Sequence, residues 1–363
     1  MILLFAISSI YIYFIWEKYY NEIALKSFKH VIMVNGIRGK THVCRLIDSI
    51  LRSKGYKVFT KTTGTKPFVI DTNGQEIPIK RIGRPNISEQ FKIIRKAYKE
   101  RAEIIIIECM AVNPEYQKVL QSKIVKSDIG IITNARYDHI FEMGKSIEDI
   151  ANSLSATIPI GGDLFLPESD DFISLENKYK EKSNIHKIKF DEESIFDLNE
   201  KLAIAVSEFV FDNDGVDYEI SELKNGIKSY LPDYGSLNLY TISEGNKINL
   251  FNLFSVNDPI SANKILKNQK FDLKDMEFVF NNRRDRPDRI LAFKEYFFNA
   301  HKEIKIHIVG ENKFLAKRIL KDFRLVIENN YDFLKKEDTL FIGLGNIKGA
   351  GEKILKLAKG GNS

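Results

Sequence analysis

The chain is poor in several things. It has two cysteines, Cys44 and Cys109, in 363 residues. Two thiols are too few for an all-cysteine zinc site or a disulfide framework. Cys44 falls inside a predicted helix and Cys109 at a strand end, where cysteine serves as a small buried apolar side chain. Charge of one sign is also scarce: 55 Lys and Arg oppose 49 Asp and Glu, a net +6. The densest basic cluster is Arg283, Arg284, Arg286 and Arg289, and it is interleaved with Asp285 and Asp288. A nucleic-acid protein presents a one-sided basic face instead, so nucleic acid is not an expected partner. The cluster reads either as a self-compensating surface turn or as an anion site, because guanidinium offers phosphate or carboxylate a planar fork of donors. Repeats and low-complexity tracts are lacking, which excludes solenoids.

Long apolar runs are lacking too, with one exception. Met1 to Trp16 carries no charged side chain. As a helix it would span about 24 Å at 1.5 Å per residue, against about 30 Å of hydrocarbon. Tyr19 and Tyr20 would extend it to the interface, with Glu17 and Lys18 snorkelling. The segment has no basic n-region, which sets aside a cleaved signal peptide. A buried core helix competes with a membrane anchor over residues 1–20, and the anchor is the expectation. Lys18, Lys26 and Lys29 follow it, so the positive-inside rule puts the rest in the cytoplasm. The expected localisation is the cell membrane, single-pass or peripheral.

What is present is a rhythm of strand and helix. His30–Val34 reads as a strand, and Lys40–Lys54 as a helix with Val43, Leu46, Ile47, Ile50 and Leu51 on one face. Gly55 ends it. Tyr56–Thr60 is a strand, Asn86–Ala102 a helix, and Glu103–Cys109 a strand whose four consecutive isoleucines fit burial on both faces. Pro114 opens a helix. Asp128–Thr133, Ser146–Ile158 and Gly161–Leu166 alternate as strand, helix and strand. Residues 168–190 read as polar surface loops with short strands, and Asp197–Phe211 as a helix. The pattern predicts a doubly wound α/β sheet over 28–249. A smaller Rossmann-like α/β domain follows over 250–363, with strands at Glu277–Phe280, Ile304–Val309 and Thr339–Gly343.

The strongest local signal is Gly36-Ile37-Arg38-Gly39-Lys40-Thr41, between the first strand and the first helix of the sheet. Glycines let backbone N–H groups approach a phosphate, Lys40 supplies charge to it, and the Thr41 hydroxyl can ligate Mg²⁺. The helix adds the positive end of its dipole. The general Walker pattern places another glycine at position 34, which is Val34 here; the shorter Gly-x-x-Gly-Lys-Thr form matches. Glu108, at the carboxyl end of the isoleucine strand, supplies the hard oxygen that Mg²⁺ prefers. His139 closes Thr133-Asn134-Ala135-Arg136-Tyr137-Asp138-His139 at the next strand end, where a metal or phosphate role is expected and Asp138 would orient the ring. Gly343-Leu344-Gly345 with Gly349 mimics a dinucleotide fingerprint, with its third glycine displaced by one and too little chain following it.

The short loop, the strand-end Glu108 and the Thr-Asn-x-x-x-Asp-His motif, in this order, resemble the central domain of the Mur ligase superfamily. Within it the chain is similar to the ligase subunits of poly-γ-glutamate synthases. The segments carrying this closer likeness are Lys61–Thr65, Pro85–Gln90, Glu108–Val112, Pro114–Gln117, Asn257-Asp258-Pro259, Asn282–Arg286 and Gly343–Ile347. The resemblance implies an ATP-dependent amide ligase that extends a poly-γ-glutamate chain through an acyl phosphate, with ATP and Mg²⁺. It implies that Lys40, Glu108 and His139 are catalytic and that Gly36–Thr41 bind phosphate. Thr41, Glu108 and His139 would ligate metal; Asn199, Asn257 and Arg283 would contact nucleotide or substrate. Phe196 stands where the family has a histidine before that asparagine, and Asp258 is an extra residue between Asn257 and Pro259. No lysine matches the carbamylated one of the superfamily. Glutamate, the growing chain, small membrane subunits of a synthesis and export complex, and a second copy of the chain are the implied partners. A different Mur-type amino-acid ligase, of the folylpolyglutamate kind, and a membrane-tethered ATPase remain as alternatives.

Overall fold

The computed structural model describes residues 2–63, 67–81, 86–190, 195–229, 239–241, 249–256, 258–269, 271, 276–336 and 339–358. The chain divides into two compact units, Met1–Asp233 and Tyr234–Ser363, whereas composition alone places the division at 249/250.

Among the described residues the first unit holds eight strands: β1 His30–Asn35, β2 Val58–Thr62, β3 Phe68–Ile70, β4 Glu76–Pro78, β5 Ile104–Glu108, β6 Ile129–Ile132, β7 Asp163–Pro167 and β8 Asn184–Ile188. They form one sheet in the order β4-β3-β2-β5-β1-β6-β7-β8. The run from β2 to β8 is parallel, while β3 and β4 add an antiparallel hairpin at one edge. The isoleucine strand is β5, flanked by β2 and β1. Successive side chains of a strand alternate in direction. Ile104 and Ile106 therefore pack with the buried face of the helix Lys40–Ser53 and with Leu202 and Val206 of the helix Ile195–Asp214. Ile105 and Ile107 pack on the other side, with Ile93, Ile94 and Ala97 of the helix Glu89–Lys99. All four isoleucines are fully buried, at about 1.5–3 kcal/mol each. Because these strands are parallel, their carboxyl ends lie at one edge, where the loops converge.

Several elements differ from the sequence reading. Residues 168–190 contain a helix, Ile173–Tyr179, and the full strand β8. Their polar surface hid a one-sided contact: Leu175 and Phe172 are buried against Leu164 and Leu166. The helix Ile147–Leu154 gives way to a tight turn at Ser155–Thr157.

The N-terminal helix is the main correction. It runs from Ile2 to Ser27, beyond the expected residues 1–20. Among the described residues no helix is long and apolar enough to cross a membrane, so a single-pass anchor does not follow. Glu17, Lys18, Glu22 and Lys26 interrupt the apolar run, and the second half of the helix belongs to the domain. Ala24 and Leu25 are buried against the helix Glu89–Lys99 and the sheet. Asn21 Nδ2 donates to the Ile124 carbonyl at 2.8 Å. Arg95 lies over the Trp16 ring, 4.9 Å from its centroid, and 3.7 Å from Glu17. Only the first half exposes a large apolar surface, including Phe5, Phe14 and Trp16.

The second unit holds β9 Leu239–Thr241, β10 Asn249–Asn252, β11 Met276–Asn282, β12 Lys305–Gly310, β13 Leu325–Ile327 and β14 Leu340–Leu344. Their order is β13-β12-β11-β14-β10-β9, parallel throughout except for β9. One face is packed by a phenylalanine cluster, Phe278, Phe280, Phe293, Phe297 and Phe298, whose rings meet edge-on or tilted. The glycine motif that mimics a dinucleotide fingerprint has a packing cause. Any side chain at Gly343 would enter the Phe254 ring. The turn after it is pinned by Asn281 Nδ2 to the Asn346 and Lys348 carbonyls and by Arg289 Nη1 to the Gly345 carbonyl.

At the amino ends of the first sheet a charged pin joins three elements. His30 Nδ1 lies 3.2 Å from Asp128 Oδ2, and Nε2 lies 3.1 Å from Asp214 Oδ1. Tyr56 donates to Asp214 Oδ2 at 2.6 Å. Burial opposes the charged ring, but the two carboxylates outweigh it and raise the His30 pKa above its ordinary 6.5. A raised folded-state pKa means that the pin's contribution is complete below the unfolded value and fades as pH climbs through the folded one. The melting temperature of wild type should therefore exceed that of His30→Gln most at about pH 6, and the gap should shrink towards about pH 8. A gap that is flat across this range would show that the imidazolium contributes nothing.

Candidate functional site

The loop after β1 is built by two close approaches. Gly36 has φ +125° and lies against Thr133 at the end of β6; Gly39 has φ +82° and lies against the Asn199 carboxamide. A Cβ at either position would collide with these groups, and both dihedrals are in the left-handed region that favours glycine. Gly39 is the cap residue of the helix Lys40–Ser53, and no side chain caps that end. Its first amides therefore face the loop as an anion-binding end.

The main chain of the loop is held by β6. Arg38 N–H donates to Asn134 Oδ1 at 3.0 Å, and Asn134 Nδ2 donates to the Arg38 carbonyl at 3.0 Å. The Asn134 amide thus pairs with both polar groups of one residue, as a neighbouring strand would. Thr133 Oγ1 also donates to the Arg38 carbonyl, and Ile37 N–H donates to the Asn134 carbonyl at 3.2 Å. Below the loop, Asn35 Oδ1 accepts from Gly36 N–H at 2.8 Å, while its Nδ2 donates to Gln117 and Thr157.

Lys40 Nζ donates to the Gly36 carbonyl at 2.6 Å. Burial pulls its ammonium below the ordinary 10.5, against the charge of Glu108 and with that of Arg38. Thr41 Oγ1 donates to Glu108 Oε2 at 2.9 Å. The same carboxylate accepts from Thr63 N–H at 2.6 Å and from the Thr63 hydroxyl. Glu108 is 2% exposed. Three adjacent strands, β2, β5 and β1, thereby bring Thr63, Glu108 and the loop to one point. A buried carboxylate between two hydroxyls is a hard-oxygen donor set. It fits Mg²⁺, which takes one or two carboxylates and completes its shell with phosphate oxygens and water.

Gly36, Ile37, Arg38, Gly39, Lys40, Thr41 and Glu108 come together. Asn199 joins them: its Nδ2 lies 3.2 Å from His42 Nδ1. Burial first, then Arg45, lowers the His42 pKa to about 4, so this ring is neutral and Nδ1 accepts. His139 adopts a left-handed backbone, φ +53°. Its N–H donates to Asp138 Oδ1 at 2.9 Å, but its ring Nε2 stands 3.9 Å from Asp138 Oδ2, too far for the expected orienting bond. Among the described residues no three His, Cys, Asp or Glu gather as a metal cluster. Arg283, in the second unit just past β11, pairs with Asp285 at 2.6 Å. Asn257 lies outside the described residues. Its neighbour Asp258 caps the helix Pro259–Asn268 by accepting from Ser261 N–H at 2.8 Å, which gives the extra residue a local purpose.

Thr63 and Asn134 were quoted in motifs but given no role from the sequence. Threonine and asparagine are common, and only strand adjacency shows them aimed at Glu108 and Arg38. Gly39→Ala should weaken binding of a non-hydrolysable ATP analogue by about five- to 150-fold, since a misplaced Cβ and an unfavourable φ together cost on the order of 1–3 kcal/mol. Binding equal to wild type in titration calorimetry would mean that the loop does not need this geometry.

Residues 34–240 match the profile of the Mur ligase middle domain, and residues 239–360 match that of the poly-gamma-glutamate synthase CapB C-terminal domain. The PGA synthase CapB of Bacillus subtilis is 30% identical, over 98% of this chain and 96% of that protein. The capsule biosynthesis protein CapB of Bacillus anthracis is 33% identical, over 81% of this chain and 66% of that protein. Among solved structures, Escherichia coli FolC in complex with ADP aligns with a TM-score of 0.67 at 14% identity, over 94% of this chain and 92% of that one. The Yersinia pestis bifunctional folylpolyglutamate synthase/dihydrofolate synthase complexed with AMPPNP and Mn ion gives 0.65 at 13%, over 93% and 91%. At these identities the structures speak for the fold alone. The sequence matches go further: the chain belongs to the Mur ligase superfamily and, within it, to the CapB family of poly-γ-glutamate synthases.

Proposed function

We propose that this protein is an ATP-dependent amide ligase that adds glutamate to a γ-linked glutamate chain, by way of an acyl phosphate. Family membership supports the reaction class. The single structural observation that carries the reading is Glu108, buried between the Thr41 and Thr63 hydroxyls beside the open helix end and Lys40.

The chemistry divides into two displacements. An oxygen of the chain's terminal carboxylate attacks the γ-phosphorus of ATP, and the bond from that phosphorus to the β–γ bridging oxygen breaks, releasing ADP. The amine of glutamate then attacks the acyl carbon; phosphate leaves, and the nitrogen gives up a proton. Lys40 and the first amides of the helix Lys40–Ser53 hold the negative charge that develops on the transferred group, an electrostatic contribution made before the reaction starts. Glu108, Thr41 and Thr63 would hold Mg²⁺, which neutralises phosphate charge. His139 is assigned to a second divalent ion. Asn199, packed on Gly39, supports the loop under the nucleotide. Asn257 and Arg283 are assigned to nucleotide or substrate oxyanions.

We also assign the protein to a membrane surface, held peripherally. The first half of the N-terminal helix exposes Ile10, Tyr11, Phe14, Ile15 and Trp16, a surface that suits an interface rich in aromatic rings. The same surface would accept the small membrane subunits implied by the resemblance.

The test is an incubation of the full chain with Mg·ATP, glutamate and a short γ-glutamate oligomer. ADP release should require glutamate, and the oligomer should gain residues by mass. Lys40→Ala should lower the rate at least about 10²-fold, the scale for losing one preorganised charge-stabilising group. ADP release without an amide product, or product from Lys40→Ala at the wild-type rate, would overturn the reading.

A further inference from the structure

One ion pair in the site has no part in the chemistry above. Arg38 Nη2 lies 2.6 Å from Asp138 Oδ2, across 100 positions of sequence. Both side chains are largely withdrawn from water, with 20% and 9% exposure. A charge-assisted bond of this length is among the stronger ones, and burial limits its screening by salt.

What the pair fixes can be separated from what is fixed already. The Arg38 main chain is clamped on both its polar groups by Asn134, with Thr133 adding a second bond to the carbonyl. The ion pair is not needed to hold that backbone. It places the guanidinium. Of the Asp138 carboxylate, Oδ2 faces Arg38 and Oδ1 accepts from the His139 backbone N–H. The His139 ring is 3.9 Å away. We infer that Asp138 is a positioning residue that sets the place of Arg38 in the phosphate loop, rather than the orienting partner of the His139 ring. Arg38 then stands as a second fixed cation two residues from Lys40, in the loop that faces the transferred phosphoryl group. This inference rests on the ligase reading.

The consequence is a pattern of non-additivity. If Asp138 acts through Arg38, removing either should cost the same, and removing both should cost no more. Steady-state kinetics of wild type, Arg38→Met, Asp138→Asn and the double variant test it, with His139→Asn as reference. Each single variant should lose about tenfold or more in kcat/KM for ATP, the scale of one charge-assisted contact, and the double variant should match the worse single one. The Mg²⁺ concentration for half-maximal rate should stay within about twofold of wild type in all three and rise in His139→Asn.

Multiplying losses in the double variant would overturn the inference. So would wild-type kcat/KM in Asp138→Asn, or a Mg²⁺ dependence in Asp138→Asn that copies His139→Asn. If Asp138→Asn shows no cooperative melting transition, Asp138→Glu replaces it. The long Arg38 side chain can follow a carboxylate moved by one methylene, so Asp138→Glu should keep kcat/KM within about threefold; a loss as deep as that of Arg38→Met would overturn the inference. A wild-type protein without glutamate-dependent ADP release would count against the ligase reading alone. The same cycle is then read on the Kd of a non-hydrolysable ATP analogue, where coupling between positions 38 and 138 must again be non-additive.

Discussion

The geometry of the site depends on one buried carboxylate. Glu108 ends the central strand of a parallel sheet and has almost no access to water. A carboxylate in that position must be hydrogen-bonded or it costs several kcal/mol. It is satisfied by Thr41 from the helix after β1 and by Thr63 from the segment after β2. Three consecutive strand ends are thereby tied together at the point where the loop opens. The bonds that satisfy Glu108 within the protein thereby gather a hard-oxygen donor set of the kind that suits Mg²⁺.

The second constraint is the side-chain amide of Asn134. By pairing with both the N–H and the carbonyl of Arg38 it extends β6 sideways into the loop. These bonds offset the considerable chain entropy that a glycine-rich turn loses on ordering. Gly36 allows this approach because Thr133 occupies the space of its missing side chain, and Gly39 does the same for Asn199. The loop is therefore shaped by β6 on one side and by the helix Ile195–Asp214 on the other, and its glycines are required by neighbours distant in sequence.

The N-terminal helix shows how tertiary contacts change the meaning of a composition signal. An uncharged run of 16 residues invites a membrane reading. In the fold, the half of the helix that follows is a domain helix: it buries Ala24 and Leu25 against the sheet, and Arg95 covers Trp16 and Tyr20. Among the described residues the first half keeps an exposed apolar surface, and no described helix is long and apolar enough to cross a membrane. Similarly, the glycines near residue 345 read as a nucleotide fingerprint until Phe254 is seen to fill the space that Gly343 leaves.

By itself the sequence determined the layered α/β character, the parallel strands β1, β5 and β6, and the glycine loop Gly36–Thr41 with Glu108 at the neighbouring strand end. These follow from local periodicity, from four consecutive isoleucines, and from glycines beside a lysine and a threonine, all of which act within a few residues. The tertiary structure decided what depends on pairing between distant segments. The hairpin of β3 and β4 was hidden because short, partly exposed strands carry little periodic signal, and the helix Ile173–Tyr179 because its polar surface masks a one-sided contact. The Asp138 carboxylate lies 2.6 Å from Arg38 and 3.9 Å from the His139 ring, a difference that no spacing of residue types encodes. Thr63 reaches Glu108 because β2 happens to lie beside β5 in the sheet order. Strand order is a long-range property, set by which faces can be buried together, and it is what converted a list of plausible residues into a site.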